Sequence, residues 1–286
     1  MNFRTIIPIK PQPWISHSTR FVLLGSCFAE NIGQRLLDFR FQGDVNPFGV
    51  LYNPLSIAQA LERLAENRPF VADELFEHNS LWHSWMHHGS FSDPSKEIAL
   101  EKMNQRFCAA AENLAHADLL IITFGSAWVY EFDGRVVANC HKVPNNRFVR
   151  RRLTVDEIVA RYTQLFAALR QQNSKLKVLL SVSPIRYLRN DATENQTSKA
   201  TLLLATEALC QQLPAVDYFP AYEILLDELR DYRFFADDMV HPSPMAVAYV
   251  WERFAQAYFT PETCALLPEI DKENRRAAHR PLHFGN

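Results

Sequence analysis

The sequence predicts a three-layer α/β/α sandwich around a mainly parallel sheet, and three observations predict it. Four short runs, 21–24, 118–123, 176–182 and 216–219, are apolar in a continuous rather than an alternating pattern, which suits strands buried on both faces. Helical patterns separate them, as βα units with right-handed crossovers require. The first run ends in Gly25-Ser26 and leads straight into a helical pattern, so polar groups gather beyond the carboxyl ends of the strands, where such sheets bind their ligands.

In chain order, a helix over 30–39 follows the first strand, and a second over 54–66 begins at Pro54. The stretch 72–95, rich in His, Trp, Phe and Ser, breaks the βα rhythm and reads as an insertion bordering the crevice and a lid candidate. Helices over 95–116 and 154–172 flank the second strand; Thr154 and Glu157 stand three apart as a capping box. A helix over 195–212 links the third and fourth strands, and one over 244–258 starts with Ser243 as N-cap and Pro244 in the first turn. Residues 1–260 are expected to form one domain. The tail 261–286, alternating charge and proline and ending in Pro281-Leu282-His283-Phe284-Gly285-Asn286, is expected to pack on the surface or fray.

Composition narrows the function. With 286 residues, 48% hydrophobic and 22% charged, the chain can bury a sizeable core. A net charge of -2 argues against nucleic acid as partner, since neutralising phosphates needs a basic face. The basic run 147–152 is interrupted by Phe148 and Val149 and reads as a solvated loop or helix approach. The N-terminus has no secretory apolar core and no stretch is long enough for a membrane span, so the expectation is a cytoplasmic protein without membrane contact. Cys27, Cys108, Cys140, Cys210 and Cys264 are scattered and read as free thiols.

Ser26 lies at a strand-to-helix turn, and Asp238-Met239-Val240-His241-Pro242-Ser243 precedes the last helix of the domain. A serine hydroxyl is a weak nucleophile until a base takes its proton. His241 is the base this pattern offers, with Asp238 to fix its tautomer and stabilise the imidazolium. Alone, Ser26 would read as a helix N-cap; with Asp238 and His241 it reads as the nucleophile of an acyl transfer. Cys27 should turn towards the sheet if Ser26 faces the crevice, because neighbouring helical residues point about 100° apart.

Gly25-Ser26-Cys27-Phe28-Ala29 spells the motif of the GSCFA domain family, and further segments fit it: Asn46-Pro47-Phe48-Gly49-Val50-Leu51-Tyr52-Asn53-Pro54, Phe124-Gly125-Ser126-Ala127-Trp128-Val129-Tyr130, Asn139-Cys140-His141-Lys142-Val143-Pro144 and the stretch 238–244. The chain therefore resembles that family, a branch of the SGNH/GDSL-like serine hydrolases. The resemblance implies an SGNH hydrolase-like, flavodoxin-like fold and ester cleavage. It matches Gly49 to the second-block glycine whose N–H serves the oxyanion. Where SGNH enzymes place Gly-x-Asn, this chain has Gly125-Ser126-Ala127, so the usual asparagine donor is missing.

Oxyanion donors are then expected from the Ser26 N–H at the helix N-terminus and from Gly49, with the Gly125 backbone, the Ser126 hydroxyl or the Asn46 amide as the remaining candidate. His83 and His87 stand four apart, but no Glu follows His83 and no third ligand is near, so they read with Trp82, Trp85, Trp128 and His141 as crevice lining, and neither metal nor cofactor is expected. Arg186 and Lys199, close to Asn195 and Ser198, are expected to meet a polar substrate group. The function expected is hydrolysis of an ester, a small acyl group such as acetyl on a glycan or other small molecule, through an acyl-Ser26 intermediate. An O-acyltransferase using the same serine and a non-catalytic ligand-binding module are the alternatives.

Overall fold

Burial alternates between two faces from the first strand onward. In the computed structural model, which describes residues 5–188 and 191–278, strand β1 (Arg20–Gly25) sends Phe21 and Leu23 into one apolar cluster and Val22 and Leu24 into another, because successive strand side chains point to opposite faces. Helix α1 (Cys27–Asp38) follows, then β2 (Gln42–Val45) and α2 (Pro54–Ala65). A hairpin of β3 (Leu75–His78) and β4 (Leu81–Ser84) precedes α3 (Lys96–Ala115) and β5 (Leu119–Phe124). Strands β6 (Trp128–Phe132), β7 (Arg135–Val137) and β8 (Val149–Arg152) form a separate antiparallel sheet. The chain continues through α4 (Val155–Gln172), β9 (Lys177–Val182), α5 (Ala192–Gln212) and β10 (Val216–Phe219). Helix α6 (Ala221–Glu223) runs into a π-helical turn, Ile224–Glu228, and α7 (Pro244–Tyr258) and α8 (Pro261–Ala278) close the described chain.

The main sheet has the order β10-β9-β5-β1-β2 with every pairing parallel. Numbered along the chain, those strands stand 2-1-3-4-5, the flavodoxin-like order, whose crevice opens where the winding reverses. Here that point lies between the carboxyl ends of β1 and β5. Helices α1 and α7 cover one face of the sheet, and α2, α3, α4 and α5 cover the other. Each fully buried Leu, Ile or Phe of these clusters contributes about 1.5–3 kcal/mol, and together they hold the sheet and its covering helices around the switch point. The expected three-layer α/β fold is the one observed.

The structure adds local detail at four places. Helix α1 starts at Cys27, three residues earlier than the pattern suggests, which makes Ser26 its N-cap residue. The insertion holds an antiparallel hairpin, so His83 and His87 do not share a helix face. The basic run enters β8, paired with β6. Residues 261–278 form α8 despite Pro268 inside it; Asn274 Nδ2 donates to Asp38 O at 2.8 Å and Arg40 pairs with Glu273, fastening α8 to the end of α1. The terminal stretch 281–286 lies outside the described residues.

Candidate active site

Ser26 occupies the N-cap position of α1 with extended backbone, yet its side chain caps nothing. Its Oγ is buried, the residue being 1% exposed, and has no hydrogen-bond partner among the described residues. A hydroxyl placed for helix capping would accept from the N–H of the second or third helical residue, so the structural role that usually explains such a serine is absent. A Cβ added to Gly125 would stand 3.3 Å from Ser26 Cβ, which puts the serine between the ends of β1 and β5, at the switch point. Gly25, immediately before it, has φ +155°, and an added Cβ would meet Thr123 O at 2.4 Å. Only glycine can bring the chain this close to β5 and still turn into α1.

The floor around Ser26 is a lattice of backbone bonds. Asn46, itself at φ +46°, accepts from Gly25 N–H through Oδ1 at 2.9 Å and leaves its Nδ2 buried without a partner. Leu51 N–H donates to Gly25 O at 3.0 Å, and Tyr52 O accepts from both Gly125 N–H and Ser126 N–H at 2.8 and 2.9 Å. Gly49 N–H donates to Asn46 O at 2.7 Å. The N–H groups of Gly49 and Gly125 are therefore already engaged and do not point free into the crevice. Ser126 Oγ accepts from Trp128 N–H at 3.1 Å and lies 3.3 Å from Ser198 Oγ. Of the sequence candidates, the Asn46 amide is the donor left open, beside the Ser26 N–H at the positive end of α1.

Across the crevice, Asp238 accepts from the N–H groups of Val240 and His241, both at 2.9 Å, and its Oδ2 lies 2.6 Å from His241 Nδ1. Those bonds, with His241 N–H foremost, hold the carboxyl down at about 2. A carboxylate can only accept, so Nδ1 carries the proton and Nε2 is left as the basic atom. The loop is fixed by Met239 in the left-handed region at φ +57° and by Ala236 N–H donating to His241 O at 2.7 Å. Arg186, just beyond β9, anchors it: its N–H donates to Val240 O at 3.0 Å and its Nη1 to Met239 O at 3.2 Å. The Asp238 and His241 side chains are about half exposed, 49% and 46%, and His241 makes no hydrogen bond to Ser26 Oγ. The Asp238–His241 pair is assembled; its contact with the serine is not made.

A family model described as the GSCFA family matches residues 20–254. The chain belongs to the GSCFA family. No curated protein matches the sequence. Among solved structures, a protein described as an acylhydrolase from Bacteroides fragilis is 13% identical, with 92% of each chain covered and a TM-score of 0.42. A carbohydrate esterase of family 3 from Talaromyces cellulolyticus is 13% identical over 88% of this chain and 99% of its own, at a TM-score of 0.36. An acetyl xylan esterase from the rumen bacterium Butyrivibrio proteoclasticus is 11% identical over 93% of this chain and 66% of its own, at a TM-score of 0.38.

Several other expected site residues of this GSCFA chain make contacts within the protein. His83 bonds Ser92 Oγ at 2.6 Å and His78 O at 3.0 Å, and His141 Nε2 bonds Ser84 O at 2.8 Å. His87, 1% exposed, is wedged against Phe48 and Phe70 with ring centroids 4.9 and 4.6 Å away. Burial, the Arg63 charge and His141 pull it down to about 3, and burial pulls His141 to about 4. Their rings are engaged beneath the 46–50 loop and in the insertion, and burial disfavours the charged form of His87 and His141. Among the described residues no three His, Cys, Asp or Glu gather as a metal site, and no helix is long and apolar enough to cross a membrane. Trp128 has one face covered by Arg150, 3.6 Å from its centroid. Cys27, expected towards the sheet, instead lies 3.5 Å from Tyr52 Oη. The Tyr52 carbonyl, central to the floor, carries no sequence signal.

Proposed function

We propose that this chain is an SGNH-type serine hydrolase that cleaves an ester, removing a small acyl group such as acetyl from a carbohydrate or similar polar acceptor. The observation that carries the reading is the Ser26 hydroxyl, buried and uncapped at the switch point, with an Asp238–His241 pair whose Nε2 is open on the same edge of the sheet. In the reaction Ser26 Oγ attacks the ester carbonyl as His241 Nε2 takes its proton. The Ser26 N–H and Asn46 Nδ2 receive the developing oxyanion, an interaction where one donor is commonly worth about 10²–10³ in rate. His241 then returns the proton to the leaving alcohol, and water repeats the sequence on the acyl-serine. Asp238 holds the tautomer throughout.

The mechanism requires His241 to close to hydrogen-bond reach of Ser26 when substrate arrives, a tightening common where catalytic bonds are long in the free enzyme. Hydrolysis of p-nitrophenyl acetate by wild type, Ser26→Ala and His241→Ala tests it. Turnover by wild type and a loss of about 10⁴–10⁶ in both variants is expected; equal rates in all three would overturn the reading. Transfer of the acyl group to a sugar hydroxyl instead of water would use the same residues. A non-catalytic ligand-binding module is the second reading, favoured by the absence of a hydrogen bond between Ser26 Oγ and His241.

A further inference from the structure

Lys199 lies in the second turn of α5 and is 1% exposed. Its ammonium donates to Gly125 O at 2.7 Å and to Ser183 O at 2.6 Å. These two carbonyls belong to the residues directly after β5 and β9, and Ser183 N–H in turn donates to Phe124 O at 2.8 Å. A charged group so deeply buried costs several kcal/mol unless it is well bonded, and burial pulls this ammonium down to about 7. An apolar side chain of similar length would fill the same space without that cost, so the position needs a reason for a cation.

Its neighbours on α5 supply the reason. Ser198 Oγ accepts from Ala127 N–H at 2.8 Å, and Asn195 Oδ1 accepts from Tyr187 N–H at 2.8 Å. One helical face therefore grips the loop after β5 at two residues and the loop after β9 at two residues. The first loop carries Gly125, packed beside Ser26 and bonded to Tyr52 O; the second carries Arg186, which holds the carbonyls of Met239 and Val240 next to His241. Lys199 is the point where the serine half and the histidine half of the site meet.

We infer that Lys199 is a positioning residue: it holds the Gly125 loop and the Ser183–Arg186 segment in register, and so sets the approach of His241 to Ser26, rather than touching substrate. Its catalytic consequence rests on the serine-hydrolase reading; its structural consequence does not. The test is Lys199→Met, with Lys199→Gln, which keeps two N–H donors without the charge, as a second variant should the first not fold. Amide hydrogen exchange should quicken about tenfold or more at 124–127, 183–187 and 238–241 while β1 and the second half of α5 keep wild-type rates, as local opening does. With p-nitrophenyl acetate, kcat should fall about 10²-fold while KM stays within about twofold, since a displacement near 1 Å has that effect on rate. Unchanged exchange in both loops, or a uniform rise across the molecule, overturns the inference. A lower affinity with kcat intact does the same, because it would make Lys199 a substrate contact. If wild type shows no turnover, the hydrolase reading fails and the exchange pattern alone decides the role of Lys199.

Discussion

Gly25→Ala probes the turn that presents the serine. An added Cβ would sit 2.4 Å from Thr123 O, a backbone atom, and 3.1 Å from Ala29 Cβ. Ordinary carbon–oxygen contacts lie at about 3.3–3.6 Å, so β1 and β5 would have to part by roughly an ångström at the register pair Gly25–Thr123. Forcing a side chain into the φ +155° backbone adds about 1–3 kcal/mol, and overpacking a rigid core adds about 1–3 kcal/mol more. The expected loss is about 2–6 kcal/mol. At roughly 2–4 °C per kcal/mol for a chain of this size, the melting temperature should drop by about 4–24 °C. The displaced Gly25 N–H would also leave Asn46 Oδ1, so labelling of Ser26 by a fluorophosphonate should slow by about 10²-fold. Calorimetry and timed labelling read both effects. A melting temperature within a degree or so of wild type, with normal labelling, would refute the geometry drawn for this turn.

Other expectations follow from the same contacts. Asp238→Asn keeps the shape but loses the obligate acceptor for Nδ1–H, and ester turnover should fall by about 10²–10⁴ with little change in melting temperature. Arg186→Met removes the Nη1 bond to Met239 O and leaves the backbone bond to Val240, so kcat should fall about tenfold with KM steady, as for a lost positioning contact. His87 titrates near 3 folded and 6.5 unfolded. Between those values the unfolded chain binds more protons, so its contribution is full above about pH 6.5 and is lost as pH falls towards 3. His87→Phe should therefore flatten part of the acid loss seen in denaturant titrations, His141 supplying a remaining slope, and should raise stability at pH 7 by about 1 kcal/mol because the unpartnered Nδ1 disappears.

The main sheet was legible because its strands β1, β5, β9 and β10 are short, mainly apolar runs set between helical patterns. Strand β2 was not, since Gly43 and Asp44 interrupt it and its apolar content is one valine. The hairpin β3–β4 turns on Asn79 and Ser80, both left-handed, where the usual Asn-Gly signal is absent. The turn between β6 and β7 does carry Asp133-Gly134, with both residues at positive φ, a recognised hairpin signal that could have revealed that sheet. Pro268 concealed α8. At the site, Ser26, Asp238 and His241 could be named from spacing, and Asn46 could be named as one donor among several. The engagement of the Gly49 and Gly125 N–H groups by Asn46 O and Tyr52 O could not be read, because backbone partners across a crevice have no local sequence pattern. The two acceptors of Lys199, Gly125 O and Ser183 O, could not be foreseen either, because both belong to loops distant from it in sequence.

Mass mapping of a fluorophosphonate adduct on wild type, with His241→Ala alongside, tests the acyl-serine claim most directly. A single phosphonyl group on the peptide carrying Ser26, with labelling abolished or slowed by at least about 10³-fold in His241→Ala, is the result predicted. Labelling at Cys27 or elsewhere, or labelling of Ser26 at the same rate without His241, would contradict it.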